Sequence, residues 1–355
     1  MLKSNYHVIA VMSGTSLDGV DIIYANYSYT NSWNFKIINT TTIPYSDRWK
    51  AVLKNLTNKS IDDLNEIDIN YTIYLAERIK EFIKTYKVAH VDIISSHGHT
   101  ALHQPENKIT YQIGNRKKLA EILGEKVICD FRLQDVELGG QGAPLVPIGD
   151  RLLFYNYDYC LNLGGFANIS FESNDGRMAY DICPVNVVLN HYVSKLDLEY
   201  DDKGHLASLG MIDKELLTAL NNLDFYKLEA PKSLGVEWVK LNVFPLVDAM
   251  NLKTEHILRT FVEHVALQIS NAVNKIGSDV LVSGGGAYND FLMQRIRQFS
   301  NAKIIIPNEE IIEFKEALIF GLLGVLRDRN EVNCLSSVTG AIRNHSSGKI
   351  FQPNV

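Results

Sequence analysis

Between residues 12 and 21 the chain reads MSGTSLDGVD, which gathers glycines, hydroxyls and carboxylates into one short stretch. Backbone N–H groups beside a glycine can approach a phosphate closely. Hydroxyls such as Thr15 and Ser16 can donate to its oxygens, and an aspartate can hold hydrated Mg2+. An ordinary polar hairpin tip uses the same residues, so spacing alone leaves both readings open. Further along, Ser96-His97-Gly98-His99-Thr100 is followed by His103. Three histidines so close together invite a metal reading, but the segment has no carboxylate to complete a shell, and a substrate-facing polar loop is the preferred reading. Asp130, Arg132 and Asp135 crowd beside Gly139-Gly140-Gln141-Gly142-Ala143-Pro144, where helix and strand must both stop. A bare linker needs no such charges, whereas a small-ligand cleft at a domain junction does. Gly164-Gly165 and Gly284-Gly285-Gly286 each follow a short apolar run.

The elements that must position these residues repeat. Apolar runs at 8–12 and 20–24 form a hairpin, and 35–43 is a third strand ended by Pro44. Residues 60–87 carry Leu64, Ile67, Tyr71, Leu75, Ile79 and Phe82 at helical spacing. A buried strand at 91–95 delivers the histidines to its C-terminal end, where open α/β sheets bind ligands. Strands at 110–113 and 127–129 follow, with a helix at 116–123 between them. The pattern then restarts with strands at 159–163, 167–171 and 177–181 and a helix at 185–196 after Pro184. A long helix at 254–276 has Thr254 as its cap and Gly277 as its stop. Strands at 280–282 and 303–306 and a helix at 316–327 complete the second set. Three strands followed by alternating helix and strand, once in each half, predict an α/β fold of two lobes around a central cleft. This is the actin-like ATPase, or ribonuclease H-like, plan, with lobes at 1–135 and 136–355.

The totals restrict the partners. The chain has 355 residues, enough for two domains with ample cores, and its 46% hydrophobic and 21% charged residues are ordinary for a soluble globular protein. A formal charge of -6 argues against a nucleic-acid partner. Cys129, Cys160, Cys183 and Cys334 form no CxxC pair, which suits a reducing cytoplasm and indicates neither a disulfide framework nor a zinc site. No apolar run approaches the ~20 residues of a membrane span, so the expectation is a soluble cytoplasmic protein.

Five segments carry a closer resemblance: MSGTSLDGVD, SHGHTALH at 96–103, DFRLQDVELGGQGAPLVP at 130–147, LNLGGFANIS at 161–170 and VSGGGAYN at 282–289. In this order they resemble the anhydro-N-acetylmuramic acid kinases, which recycle bacterial cell wall and belong to the actin-like superfamily. The resemblance implies an enzyme that uses ATP, Mg2+ and water to open the 1,6-anhydro ring of an amino sugar and phosphorylate O6. Peptidoglycan turnover and amino-sugar catabolism are the implied context, and a homodimer the implied assembly. It further implies that Gly14, Thr15, Ser16, Leu17, Asp18, Gly19, Val20 and Asp21 form the first phosphate hairpin, with Asp18 toward the metal. Gly164 and Gly165 would form the second, and Gly284, Gly285 and Gly286 would lie against the nucleoside. His97, His99, Asp130, Arg132, Gln141 and Asn186 would contact the sugar. The lobes would close on ligand through 139–142.

The family's catalytic carboxylate sits in a segment Asp-Thr-Gly-Pro-Gly-Asn, which here reads Asp181-Ile182-Cys183-Pro184-Val185-Asn186. Asp181 would then deprotonate the attacking water, and its apolar neighbours would raise its pKa toward that task. Without the resemblance, a cap for the following helix is the better reading of Asp181. The segment departs from the family by one lost hydroxyl and two lost glycines. His99 stands where glutamine is usual, and Leu234 where threonine is. These departures keep two alternatives open: a kinase for a different amino sugar, and a catalytically silent sugar-sensing relative.

Overall fold

The computed structural model describes residues 3–14, 17–273 and 275–353. β1 (Asn5–Ser13) and β2 (Gly19–Tyr29) pair antiparallel with Met12 opposite Asp21, and β3 (Trp33–Pro44) extends the meander. The helix Ile61–Thr85 follows. Ser60 caps it by accepting the Asp63 N–H, and Leu64, Tyr71, Leu75, Ile79 and Phe82 are buried along one face. β4 (Ile93–Gln104) lies parallel to β1, β5 (Ile109–Ile113) folds back antiparallel on β4, and β6 (Val127–Cys129) lies parallel to β4. The expected strand at 91–95 is therefore much longer. Pairing of His99 with Ile113 and His103 with Thr110 carries it through all three histidines, which lie on β4 and not in a loop.

The second half repeats this path. β7 (Tyr159–Leu163), β8 (Phe166–Ser173) and β9 (Gly176–Pro184) form the antiparallel meander, and β10 (Asp279–Ser283) and β11 (Lys303–Ile305) add in parallel beside β7. The helix after β9 is Asn186–Val193; Pro184 ends the strand instead of opening the helix. The helix Thr254–Ala272 has Lys253 at its cap position, with Thr254 as its first residue. It stops at Ala272 and not at 276, because the chain leaves helical geometry at Val273 and turns at Gly277, which has φ +73°.

Each sheet thus has an antiparallel three-strand meander continued by two parallel strands beside its first strand, β3-β2-β1-β4-β6 in one, where β5 pairs with β4 off this path, and β9-β8-β7-β10-β11 in the other. That order, occurring twice, is the ribonuclease H-like plan of the actin-like ATPases. The compact units are Met1–Leu153 with Phe314–Val355, and Phe154–Glu313. Their limits differ from the expected 1–135 and 136–355 because the end of the chain returns to the first sheet. In the helix Glu309–Asp328, the Leu318 and Phe320 carbonyls accept hydrogen bonds from Tyr27 and Ser95, both at 2.6 Å. A Cβ at Gly324 would stand 2.6 Å from Ser95 Oγ, so glycine is what lets this helix lie so close to β4. β12 (Lys349–Phe351) then closes the first sheet against β6. Each unit has its own apolar core, one including Ile9, Tyr71 and Phe82, the other Leu161, Val188 and Phe261.

Candidate functional site

In the first unit Ser13, at the end of β1, belongs to a buried polar network. Ser13 Oγ lies 2.5 Å from Tyr45 OH, 2.6 Å from Tyr71 OH and 3.0 Å from His99 Nδ1, and the two tyrosine hydroxyls are 2.6 Å apart. Burial pushes the Tyr45 phenol up to about 12, against the opposing hydrogen bond from Ser13. Burial also brings His99 down to about 4, so its ring is neutral at physiological pH. Of the hairpin residues, Gly14 and Leu17 are half-buried and Asp18 is exposed, while Thr15 and Ser16 lie outside the described residues. Leu17 has φ +64°, a left-handed backbone rare for leucine. Gly19 has a packing reason of its own, since a Cβ there would meet the Ile43 carbonyl oxygen at 2.5 Å. The Val20 side chain is fully buried in the core, and Asp21 accepts from Thr42 Oγ1 at 2.6 Å.

A second chain of contacts in this unit starts at His97. Its Nδ1 donates to the Gly98 carbonyl at 2.8 Å, and its Nε2 accepts from Arg132 Nε at 2.8 Å. These partners fix the neutral tautomer, and burial and then the Arg132 charge hold the pKa far below the usual value. Arg132 Nη1 donates to the Gly142 carbonyl at 2.7 Å; among the described residues Nη2 has no hydrogen-bond partner. The glycine loop is in turn held by Asp135. Its Oδ2 accepts the Gly142 N–H at 2.7 Å, and its Oδ1 accepts from Thr339 Oγ1 at 2.7 Å. Gly142 has φ +69°, which explains the glycine there. Glu316 reaches solvent, yet the protein around it raises its pKa; Asp21 adds to the rise, and Arg132 and Lys315 oppose it.

Two expected sugar ligands are differently engaged. Asp130 accepts from Asn115 Nδ2 at 3.0 Å and pairs with Lys349 Nζ at 2.8 Å, so its carboxylate fastens β12 and the Asn115 loop. Gln141 is exposed, with its backbone N–H donated to the Thr339 carbonyl at 2.8 Å.

In the second unit the glycines come together at the C-terminal ends of β7 and β10. Ser283 pairs with Asn162, so both strands end level. A Cβ at Gly286 would lie 2.7 Å from Leu163 Cβ, and one at Gly284 would lie 2.6 Å from Asn162 Oδ1. These two glycines let the loop rest on the end of β7, next to Gly164. Gly285, by contrast, has nothing within 4 Å of a Cβ, and at Gly165 the nearest atom would be 4.0 Å away. Bare backbone with open space beside it is what close approach of a nucleotide requires. The start of the helix Asn186–Val193 joins this group: the Val185 and Val187 N–H groups donate to the Gly165 carbonyl at 2.8 and 3.2 Å, and the Asn186 N–H to Gly164 at 3.4 Å.

Asp181 does not cap that helix. Its Oδ2 accepts the Leu234 N–H at 2.8 Å, and its own N–H donates to the Lys232 carbonyl at 3.0 Å, so it anchors the 231–235 loop. Its pKa is raised, chiefly by burial and against the Leu234 N–H, in the direction a general base needs. The substituted positions around it are also legible. Cys183 and Val185 are fully buried, and Val185 has φ −130°, outside the region that favours glycine.

The model of one protein family, anhydro-N-acetylmuramic acid kinase, matches residues 6–353. The chain belongs to the anhydro-N-acetylmuramic acid kinase family. Among curated members, that of Haemophilus influenzae is 32% identical, covering 99% of this chain and 98% of that one. The Mannheimia succiniciproducens kinase is 34% identical over 99% of this chain and all of its own. Among solved structures, the activator of 2-hydroxyisocaproyl-CoA dehydratase from Clostridium difficile with bound ADPNP covers 91% of this chain and 96% of its own at 12% identity and a TM-score of 0.46. The fold assignment rests on the doubled strand order and not on that likeness.

Reading the sequence leaves out four residues of this site, Ser13, Tyr45, Tyr71 and Glu316, and the tie from Asp135 to the glycine loop. Tyr71 sits at a core position of its helix, where an aromatic residue signals packing and its hydroxyl goes unnoticed. Asp135 was visible as one of the crowded charges, but its tie to Gly142 depends on a loop geometry that spacing does not encode. Glu316 lies in an amphipathic helix among ordinary surface charges.

Proposed function

We propose that this chain is an ATP-dependent kinase that hydrolytically opens 1,6-anhydro-N-acetylmuramic acid and phosphorylates O6, giving N-acetylmuramic acid 6-phosphate and ADP. The observation that carries the reading is the end-to-end match to the family and its curated members. In the reaction, a water oxygen bonds to the anomeric carbon as the bond from that carbon to O6 breaks. O6 bonds to the γ-phosphorus, and the β–γ bridging oxygen leaves with ADP. Asp181 takes the water's proton and later releases it to solvent. Its raised pKa and its fixed Oδ2 support that role.

The open space beside Gly165 and Gly285 supports nucleotide binding by the second unit. Arg132 Nη2 and the neutral His99 are suited to orienting sugar oxygens in the first, while His97, an expected sugar ligand with both ring nitrogens already engaged, holds Arg132 in place. Mg2+, which supplies charge neutralisation at the transferring phosphoryl group, takes one or two carboxylates and keeps most of its water. The exposed Asp18 carboxylate fits that habit. The proposal includes a cytoplasmic location and a homodimer. Among the described residues, no helix is long and apolar enough to cross a membrane.

The test is incubation with ATP, Mg2+ and the anhydro sugar in 18O-labelled water, followed by mass spectrometry. Expected are ADP and a sugar phosphate carrying one label at the anomeric oxygen. Sugar binding without either product would replace this reading by a sensor. A higher kcat/KM for another amino sugar in a substrate panel would reassign the substrate.

A further inference from the structure

Asp135, Cys334 and His345 are distant in sequence, yet their donor atoms all lie within 4.8 Å of one another. All three are buried, at 0%, 1% and 6% exposure. The backbone explains the meeting. Cys334 and His345 face each other across an isolated antiparallel bridge, exchanging N–H···O bonds of 3.1 and 3.2 Å, and directly opposed residues project to one side. Asn333 fixes the bridge, since its Nδ2 donates to the Leu323 and Ser347 carbonyls and its Oδ1 accepts the Ser347 N–H at 2.7 Å.

The histidine is the telling member. His345 Nδ1 donates to the Arg343 carbonyl at 3.1 Å, which in the neutral ring places the lone pair on Nε2. That nitrogen is buried without a hydrogen-bond partner and stands 3.5 Å from Asp135 Oδ1. A lone pair aimed at a carboxylate oxygen is repulsive unless something positive lies between them. A ring nitrogen oriented by a carbonyl on its far side is the usual outer arrangement of a metal-ligating histidine. Asp135 is likewise held from behind, by Thr339 and the Gly142 N–H.

We propose that Asp135 Oδ1, Cys334 Sγ and His345 Nε2 form a binding site for a divalent transition metal of the Zn2+ class. Mixed oxygen, sulfur and nitrogen donors select a borderline metal over Mg2+. Tetrahedral Zn2+ bonds of about 2.0–2.3 Å put ligand atoms about 3.3–3.6 Å apart, which the His345–Asp135 pair already meets and the thiol reaches by a small closure. Three protein ligands leave a fourth position for water. On binding, the Cys334 thiol loses its proton to solvent, and a metal–sulfur bond replaces the S–H bond; no electron moves. The loaded site would tie the segment 333–347 to the helix Leu133–Glu137 and, through Asp135, to Gly142.

The test uses the full chain, stripped with chelator and titrated with Zn2+ alone by calorimetry, and with Co2+ alone by absorption. One Zn2+ per chain is expected, with release of one proton, a rise in Tm, and a thiolate-to-Co2+ charge-transfer band. Cys334→Ala should abolish the band, and His345→Gln should weaken Zn2+ binding by more than the roughly 10–100-fold that loss of an outer partner such as Thr339 costs. Cys129→Ala should change neither. If Cys334→Ala does not fold, the wild-type Co2+ spectrum decides alone: without a thiolate band the site is refuted. Zn2+ binding unchanged in both variants would equally overturn it, and no binding at all would leave an imidazolium–carboxylate pair in its place.

Discussion

The two units share one strand order but finish it differently. At the end of the first meander lies a buried cluster of three hydroxyls and one imidazole, Ser13, Tyr45, Tyr71 and His99, while His97 on β4 starts a second chain through Arg132 and the glycine loop to Asp135. At the corresponding end of the second lie glycines over an apolar floor of Leu163, Cys183 and Val185, with Asp181 the one carboxylate assigned to that site. A polar network holds directional donors and acceptors rigidly, as recognition of a hydroxylated ring demands. Bare backbone admits a phosphate or a base closely but recognises little else. The scaffold is common, and on the proposed function the side chains at its strand ends divide the work.

The largest effect that would break this division is at Asp181. Asp181→Asn keeps size and the contact to the Leu234 N–H but cannot accept a proton. kcat should fall roughly 10²–10⁴-fold with sugar and ATP affinity nearly unchanged. Because the pKa is raised, wild-type kcat should also fall as pH drops through that elevated carboxyl value, where the base becomes protonated. Turnover of Asp181→Asn within a few-fold of wild type would remove the base from the second unit.

The next effect is on stability. His99 is brought to about 4 in the folded state from an ordinary 6.5. Below pH 6.5 the unfolded chain binds a proton that the folded one refuses, so stability is lost as pH falls from 6.5 to 4 and levels off beneath. The loss amounts to about 3 kcal/mol. Denaturant titrations at pH 7 and pH 4 should differ less by about that amount in His99→Gln than in wild type. Equal pH dependence in the two proteins would mean that His99 is not held neutral by its network.

The glycine loop sharpens the comparison within the second unit. Gly286→Ala should cost roughly 1–3 kcal/mol, because its Cβ would collide with Leu163, while activity per folded molecule persists. Gly285→Val should leave the melt within ~0.5 kcal/mol but raise KM for ATP roughly tenfold, about 1.4 kcal/mol of lost binding. Opposite results, a destabilised Gly285→Val or an ATP defect in Gly286→Ala, would exchange their roles.

Much of this was legible in the sequence. Glycine, aspartate and hydroxyl spacing marked the β1–β2 turn, apolar periodicity located the long helices, and the repeated order of elements implied two similar sheets. Boundaries were read less well where partners far away in sequence decide them. β4 continues through His97 to Gln104 only because β5 is there to pair with it. The first unit takes back the chain from Phe314 because Tyr27 and Ser95 bind carbonyls of that helix. On position alone Asp181 reads as a cap, since aspartate before a helix usually is one; a loop some fifty residues later claims its carboxylate instead.

The smallest effect probes whether the buried hydroxyls serve the sugar or only the fold. Tyr45 is almost completely buried, and its hydroxyl meets both Ser13 and Tyr71. Tyr45→Phe deletes one oxygen and leaves the ring, so packing is retained while its contacts to Ser13 and Tyr71 both go. The expected cost is about 1–3 kcal/mol of stability, from two buried hydrogen bonds of about 0.5–1.5 kcal/mol each. Ser13 would then be free to turn toward Tyr71 or His99, and the His99 ring would lose part of its orientation. If the network positions His99 for the sugar, KM for the sugar should rise a few-fold while KM for ATP and kcat stay put. If it only supports the hairpin, the melt should shift with no change in either KM. A rise confined to the KM for ATP would show that this end of the first unit serves the nucleotide, and the division of labour between the two strand ends would have to be redrawn.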